Sequence, residues 1–338
     1  MRIRTPLCES LGIDVPIFSV GFGIGAGPEL SAAVSNAGGC GVVGLGGFRP
    51  DHIPAAVART RELTSRPFGG NVIIADLDED GEETRAQIAA ALAARVPVLV
   101  LFWGDPAPFV EPAHAAGVRL FVQVGSAEEA AEAADAGVDA VIVQGVEAGG
   151  HVKATESIWT VLPAAVEAAG VTPVLASGGI GDGGAIARAL QLGAQGVSLG
   201  TRFVASEEAW VHDAYKQAVV ASDAEDTFYG DLFDVWWPNA PHRALKRTTY
   251  AEWDAAGRPP VGKRPGEGKP IGTLRRPWGS YPWPRYATGM LTPGFEGDPD
   301  YAPMWAGESV DHVRAVQPAA EIVRELVRET EAALAATR

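Results

Sequence analysis

The most informative stretches of this chain are two glycine-rich turns, Ala176-Ser177-Gly178-Gly179-Ile180-Gly181-Asp182-Gly183 and Leu199-Gly200-Thr201-Arg202-Phe203. Glycines let backbone N–H groups approach an anion closely, and a helix that starts after the turn adds partial positive charge. One such turn alone would indicate only a tight turn with Asp182 as the helix N-cap. Two of them predict a phosphate site, with Ser177, Gly178, Gly179, Gly200 and Thr201 as contacts.

Each turn follows a short apolar run, and six similar runs precede them. The eight predicted strands are Val15–Val20, Gly41–Gly44, Phe68–Ile74, Val96–Phe102, Arg119–Val124, Ala140–Val143, Pro173–Ala176 and Gly196–Leu199. Helical patterns fall between and after them at 28–37, 50–64, 82–94, 105–116, 126–136, 156–169 and 182–192. Strands that are apolar throughout suit a parallel sheet covered on both faces. Eight strands before residue 200 predict an α/β fold, a (β/α)8 TIM barrel, in which phosphate commonly binds after strands seven and eight.

The strand count divides the chain into three predicted segments. A helix from Glu207 to Ala221 would complete a barrel at residues 1–221. Residues 222–316, here called the cap, combine prolines and glycines with six of the nine tryptophans, namely Trp236, Trp237, Trp253, Trp278, Trp283 and Trp305. Disordered linkers are poor in aromatics, so we expect an ordered but irregular cap on the barrel. Residues 317–338 carry apolar residues at helical spacing and predict a closing helix, Pro318–Ala335.

The charge and composition of the chain limit the classes of molecule that it is expected to bind. A net charge of −15 argues against nucleic acid and gives no attraction to an anionic membrane surface. Two cysteines without CxxC spacing predict neither a disulfide framework nor a metal site. Without an apolar run of about 18 residues or a signal peptide, a soluble cytoplasmic protein that acts on a small molecule is expected. A homodimer is left open.

Two further groups of residues lie at predicted strand ends. Gly21-Phe22-Gly23 follows the first strand and offers a backbone surface for a flat ring. Asn71 and Gln123 lie at or near the ends of strands three and five and supply uncharged hydrogen-bonding groups. Either amide could equally cap a neighbouring loop.

His151 is the candidate catalytic residue. It follows the sixth strand in Gln144-Gly145-Val146-Glu147-Ala148-Gly149-Gly150-His151, and a histidine there should project into the barrel mouth. An ordinary imidazole pKa near ~6.5 suits proton abstraction at neutral pH. The other five histidines are expected to be surface or packing residues.

These motifs resemble the nitronate monooxygenase family, formerly the 2-nitropropane dioxygenases. The resembling stretches are Asn36-Ala37-Gly38-Gly39-Cys40-Gly41, Asn71, Gln144 to His151, Ala176 to Ile180, Leu199 to Phe203 and, more weakly, Trp305-Ala306-Gly307-Glu308-Ser309. The resemblance implies an FMN-dependent oxidoreductase in which His151 deprotonates a nitroalkane and the nitronate is oxidised with O2. Gln144, Gly145, Gly149 and Gly150 complete the expected cofactor contacts.

Three differences from the family pattern stand out. Val152 and Lys153 follow His151 where glycine is usual, and the turn Ser19–Gly23 lacks a common methionine. Glu308 stands where glutamine is usual, which would place a negative charge near the cofactor.

Three alternatives remain at this stage. A flavin-dependent enoyl-thioester reductase that uses NAD(P)H shares the cofactor and the Glu-Ala-Gly-Gly-His stretch. A flavin-free isomerase or aldolase would bind a phosphorylated substrate, commonly with a lysine at a strand end, and Lys153 is the nearest lysine. The third alternative is a non-catalytic flavin-binding or regulatory module.

Overall fold

The architecture is a barrel of eight parallel strands. In the computed structural model, residues 3–75, 81–276 and 279–336 are described. The barrel strands, here β1 to β8, are Ile17–Ser19, Val42–Val43, Gly69–Ile73, Val98–Phe102, Arg119–Val124, Ala140–Gln144, Val174–Ser177 and Gly196–Leu199. All eight overlap the predicted strands, so the sequence-based fold is confirmed.

Closure of the barrel depends on backbone bonds between β1 and the chain entering β2. The sheet runs in the order β1, β8, β7, β6, β5, β4, β3, β2. Cys40 donates its N–H to the Ile17 carbonyl (2.9 Å), and Ser19 donates to the Cys40 carbonyl (3.1 Å). These bonds join the two ends of the sheet, so the carboxyl ends of all eight strands surround one opening.

Helices follow the barrel strands as the periodicity predicts. The helices that match predictions are Pro28–Asn36, Ile53–Leu63, Glu82–Ala93, Ala107–Ala115, Ala127–Ala136, Ile158–Ala169, Gly183–Gln191 and the closing helix Ala319–Ala336. Pro6–Leu11, Thr201–Val204 and Thr248–Ala255 are further helices that the sequence reasoning did not identify.

The predicted helix from Glu207 to Ala221 is shorter than expected. It is observed at Asp213–Val220, with the His212 side chain accepting the Ala214 N–H. Residues before it bond elsewhere: Glu207 donates to Gln317, and Trp210 donates to Gly25. Their backbone N–H groups are satisfied by tertiary partners, which replaces the helix there.

Alternation along β4 separates two layers of the core. Val98 and Val100 pack in the cluster that fills the barrel, whereas Leu99 and Leu101 pack in the larger cluster with the helices. Both faces of the strand are therefore buried, as expected for a parallel sheet. The filled interior confines a ligand to the open mouth.

The cap contains more regular structure than the predicted irregular segment. One antiparallel sheet joins Thr227–Gly230, His242–Leu245 and the two-residue strand Gly150–His151. A second consists of Pro270–Arg276, Gly279–Pro284 and Phe295–Gly297. These strands are short and contain Pro, Gly or Arg, so the alternation that predicts strands is weak in them.

The tryptophans of the cap have different environments. Trp237, Trp283 and Trp305 are buried, which agrees with an ordered segment, whereas Trp236 is 53% exposed. Trp278 lies outside the described residues. Among the described helices, none is long and apolar enough to cross a membrane.

Candidate functional site

A cavity of about 370 Å³ opens at the carboxyl ends of the barrel strands and beneath the cap. Fourteen of the fifteen predicted site residues line it: Gly21, Phe22, Gly23, Asn71, Gln123, Gln144, Gly149, Gly150, His151, Ser177, Gly178, Gly179, Gly200 and Thr201. Gly145 does not. Its N–H donates to the Ser177 carbonyl (2.9 Å), and a side chain there would collide with Ile158.

The two glycine turns present unused backbone donors to this cavity. Among the described residues, no acceptor takes the N–H groups of Gly178, Gly179, Gly200 or Thr201. Gly178 and Gly179 both have positive φ angles, +92° and +68°, which glycine adopts at little cost and which shape this tight turn. The Thr201 hydroxyl accepts the Gly307 N–H (3.0 Å) and keeps its own proton to donate. This end of the cavity fits a phosphate group.

The side-chain amides of Asn71, Gln144 and Gln123 differ in their hydrogen bonds. Asn71 donates to the Val100 carbonyl at 3.2 Å. Gln144 donates to the His151 carbonyl (3.1 Å) and accepts the Lys153 N–H (3.0 Å), so it holds the loop that carries His151. Within the part of the chain that the structure describes, the Gln123 amide has no partner, which leaves it available to a ligand.

The His151 imidazole lies against an aromatic wall. Its ring centroid is 4.0 Å from Trp237, 5.4 Å from Trp305 and 6.5 Å from Trp103. Its Nε2 atom is buried and has no hydrogen-bond partner among the described residues. Burial, with a smaller contribution from His242, lowers the pKa of His151 to about 3. The imidazole is therefore neutral at physiological pH.

The cap positions His151 through a backbone ladder. Gly150–His151 pairs antiparallel with the cap strand His242–Leu245, so that His151 lies opposite His242. His242 is a buried packing residue whose Nδ1 donates to the Ala240 carbonyl and whose Nε2 accepts the Phe233 N–H. These two bonds occupy both of its nitrogens, so His242 has no free nitrogen with which to relay a proton to His151.

Sequence reasoning did not identify several residues of the wall. Trp103, Trp237, Arg276 and Met290 lie on or behind the cavity surface, and only the run of tryptophans in the cap hinted at them. Ser309 also lines the cavity, from the weakly resembling stretch that begins at Trp305.

The carboxylate of Glu308 does not face the cavity as an isolated charge. Its Oε1 lies 3.1 Å from Nη2 of Arg243, and its N–H donates to the Glu147 carbonyl. Arg243 therefore compensates the negative charge that replaces the usual glutamine. No cluster of metal-ligating side chains occurs among the described residues.

Comparisons with known proteins identify a family whose sequence pattern extends over the barrel and the cap. The family model described as nitronate monooxygenase matches residues 4–329. The nitronate monooxygenase of Pseudomonas aeruginosa is 31% identical over 362 residues, covering 94% of this chain and 97% of its own length.

Two further proteins are also similar to this chain. The (3aS,4S,5R,7aS)-5-hydroxy-7a-methyl-1-oxo-octahydro-1H-indene-4-carboxyl-CoA dehydrogenase of Rhodococcus jostii is 34% identical over 243 residues. That match covers 72% of this chain and 66% of the relative, just under two thirds of its length. FabK from Thermotoga maritima superimposes with a TM-score of 0.82 at 28% identity and 99% coverage of both chains.

The match to the family model spans nearly the whole chain, including the glycine turns, His151 and the cap. The chain belongs to the nitronate monooxygenase family of oxidoreductase enzymes.

Proposed function

We propose that this protein is an FMN-dependent oxidoreductase that oxidises a nitroalkane or its nitronate with O2. The FMN phosphate would be held by Ser177, the turn at Gly178 and Gly179, and the turn at Gly200 and Thr201. The free amide of Gln123 suits the polar edge of the flavin ring, and Gly21–Gly23 would support its face. Bound flavin supplies the redox chemistry by accepting electrons from the substrate and passing them to O2.

The observation that carries the proposal is the unpartnered, buried Nε2 atom of His151. Because burial keeps the imidazole neutral, its lone pair is available to accept a proton. Trp237 and Trp305 exclude water from this atom, so a substrate C–H would not compete with solvent for it.

A depressed pKa in the free site does not make His151 a useless base. Removal of a proton from a neutral nitroalkane leaves an anionic nitronate beside the new imidazolium. An opposite charge at close range favours the protonated imidazole and so raises its proton affinity during the reaction. The same pairing would hold the nitronate in place.

Substitution of His151 tests the proposal. We expect His151→Ala to retain FMN and to lose turnover of neutral nitroethane by about 10²–10⁴-fold, the usual cost of a missing general base. Turnover of preformed ethyl nitronate, which needs no deprotonation, should fall much less. Equal losses on both substrate forms would contradict the base assignment, and a protein that takes up no FMN would contradict the cofactor.

A second candidate is reduction of a conjugated thioester with NAD(P)H. It is supported by the similarity to FabK and to the CoA-thioester dehydrogenase of Rhodococcus jostii. Anaerobic flavin absorbance separates the two. Bleaching by nitroethane or its nitronate supports the first proposal, whereas rapid bleaching by NADH or NADPH without a response to nitroethane supports the second.

A further inference from the structure

The residue that follows His151 binds its segment to the cap. The Val152 side chain is fully buried and packs with Ala148 and Ala154 in a small apolar cluster. The Val152 N–H donates to the Pro241 carbonyl of the cap at 2.8 Å. These contacts fix one side of the segment that carries His151.

Lys153, the next residue, connects the same segment to the barrel through an ion pair. Its Nζ atom lies 2.7 Å from Oε1 of Glu129, and the two side chains are 30% and 29% exposed. The other carboxylate oxygen, Oε2, accepts the N–H of Gly125 at 2.8 Å. Gly125 directly follows barrel strand β5, which carries Gln123. One carboxylate thus joins the strand end beside Gln123 to the segment beside His151.

The backbone of Lys153 also packs directly on Gly125. A Cβ atom at Gly125 would lie 2.8 Å from the carbonyl carbon of Lys153 and 2.9 Å from the N atom of Ala154, so only glycine fits there. The Lys153 N–H donates to Oε1 of Gln144 at 3.0 Å, and the Gln144 amide donates to the His151 carbonyl at 3.1 Å. Of the contacts that fix Lys153, the ion pair is the one that depends on charge.

The carboxylate of Glu129 is held in place independently of Lys153. Glu129 lies in the first turn of the helix Ala127–Ala136, and its N–H donates to the hydroxyl of the N-cap residue Ser126 at 3.1 Å. The partial positive charge of a helix N-terminus stabilises a carboxylate at this position. A partner that is already fixed loses less side-chain entropy when the ion pair forms.

Lys153 is not placed to react with a ligand. Its ammonium group pairs with Glu129, and the residue does not line the cavity. The Schiff-base lysine of a flavin-free aldolase, by contrast, would have to reach the substrate. We therefore expect any effect of Lys153 on the reaction to act through His151.

We propose that the ion pair between Lys153 and Glu129 is a positioning device that fixes His151, the proposed base, on the barrel. This inference rests on the proposed function, because it assigns how the base of that reaction is held. Deprotonation of a neutral nitroalkane requires its carbon to approach Nε2 of His151 closely, so a freer segment would spend less time in the reactive geometry. A preformed nitronate needs no such alignment with the base.

Neutral nitroethane and preformed ethyl nitronate separate loss of positioning from general damage. We expect Lys153→Gln to lower kcat/KM for nitroethane about five- to tenfold, within the ~100-fold that a misplaced catalytic group can cost. Turnover of ethyl nitronate should fall much less, because it needs no base. Lys153→Arg should restore most of the nitroethane activity, because a guanidinium also pairs with a carboxylate.

Substitution of the partner tests whether the two residues act together. Glu129→Gln keeps a side-chain oxygen for the Gly125 N–H but removes the charge, so it should lose as much nitroethane activity as Lys153→Gln. The double variant should lose no more than either single variant, because both substitutions remove the same interaction. Additive losses would overturn the proposal.

Arg247→Gln is the matched control. Arg247 pairs with Asp300 in the cap at 2.6 Å, the side chains are 35% and 41% exposed, and neither residue lines the cavity. Loss of this ion pair should leave the ratio of nitroethane to nitronate turnover at its wild-type value. Equal losses on both substrate forms in Lys153→Gln, or wild-type turnover of nitroethane by that variant, would contradict the positioning role.

Hydrogen exchange of the purified proteins gives a readout that does not depend on turnover. We expect the backbone amides of residues 150–154 to exchange about fivefold faster in Lys153→Gln and Glu129→Gln than in the wild type or Arg247→Gln, because local opening becomes easier. Unchanged exchange in both variants would overturn the inference. A wild-type enzyme that does not oxidise nitroethane, combined with faster exchange in the two variants, would contradict the proposed reaction and leave the ion pair as the anchor of this segment.

Discussion

The barrel side and the cap side of the cavity are built differently. The barrel contributes mainly backbone: the turns at Gly178–Gly179 and Gly200–Thr201 offer N–H groups on rigid strand ends. The cap contributes side chains: Trp237 packs against His151, and Arg276 is the one charged side chain among the described residues that line the cavity. Both sides meet at Gly150–His151, which leaves a barrel strand end and joins a cap sheet.

This difference in construction suits two separate functions, cofactor binding on the barrel side and substrate selection on the cap side. Backbone donors bind a phosphate whatever the rest of the ligand is, so the barrel side suits a cofactor shared by many enzymes. Side chains on a separate segment can change without disturbing the strand ends, so the cap side suits selection of the substrate. Substitutions on the two sides should therefore have separable effects.

Removal of Trp237 should have the largest effect on the cap side. The indole is 8% exposed, and truncation of a buried tryptophan to alanine costs about 3–5 kcal/mol of unfolding free energy. Urea unfolding of Trp237→Ala measures this loss. The neighbouring Trp236→Ala is the control, because that side chain is 53% exposed and should cost much less. Equal losses would mean that Trp237 does not anchor the cap.

The same variant should change the pH dependence of turnover. In the wild type, the His151 pKa of about 3 keeps the base deprotonated, so kcat/KM for nitroethane should show no acid limb near pH 6.5. Water admitted by Trp237→Ala would raise the pKa towards its ordinary value near ~6.5. The variant's kcat/KM should then fall about tenfold between pH 7.5 and pH 5.5 as the imidazole protonates. A flat profile in the variant would show that the indole does not cause the depressed pKa.

On the barrel side, Gly178→Ala should weaken FMN binding more than it weakens the fold. A side chain at φ +92° is strained by about 1–2 kcal/mol, and its Cβ would lie 2.9 Å from the Gly145 carbonyl oxygen. Gly117→Ala shares the strain at φ +72°, but nothing lies within 4 Å of its Cβ. Isothermal titration with FMN should show a loss of tenfold or more for Gly178→Ala and none for Gly117→Ala. Equal FMN affinities would show that the Gly178–Gly179 turn does not contribute to the cofactor site.

The smallest effect is expected at the junction of the two sides. Glu308→Gln restores the usual family residue and breaks the ion pair with Arg243, in which the Glu308 side chain is 42% exposed. A pair this exposed contributes at most about 1 kcal/mol. Thermal unfolding should change little, and FMN affinity should stay within a fewfold. A large change in either would show that Arg243 needs this carboxylate.

The sequence predicted the barrel well because its signals are local. Apolar runs such as Val98–Phe102 and helices such as Ala127–Ala136 repeat with the periods of strand and helix, and glycines mark the returns. Prediction was wrong over residues 207–212, because the N–H groups of Glu207 and Trp210 bond to Gln317 and Gly25, which are distant in sequence. It also found no strands in the cap, where pairing rather than periodicity forms them.

For the site, local sequence patterns were enough to predict the glycine turns, the strand-end amides and a histidine after the sixth strand. Their positions follow from chain order in a (β/α)8 barrel, because parallel strand ends converge at one mouth. Three properties became visible only in the folded structure: Gly145 packs away from the cavity, burial keeps His151 neutral, and Arg276 reaches the cavity without a carboxylate partner among the described residues. Those properties depend on burial and charge pairing between residues far apart in the chain, and local periodicity carries no information about either.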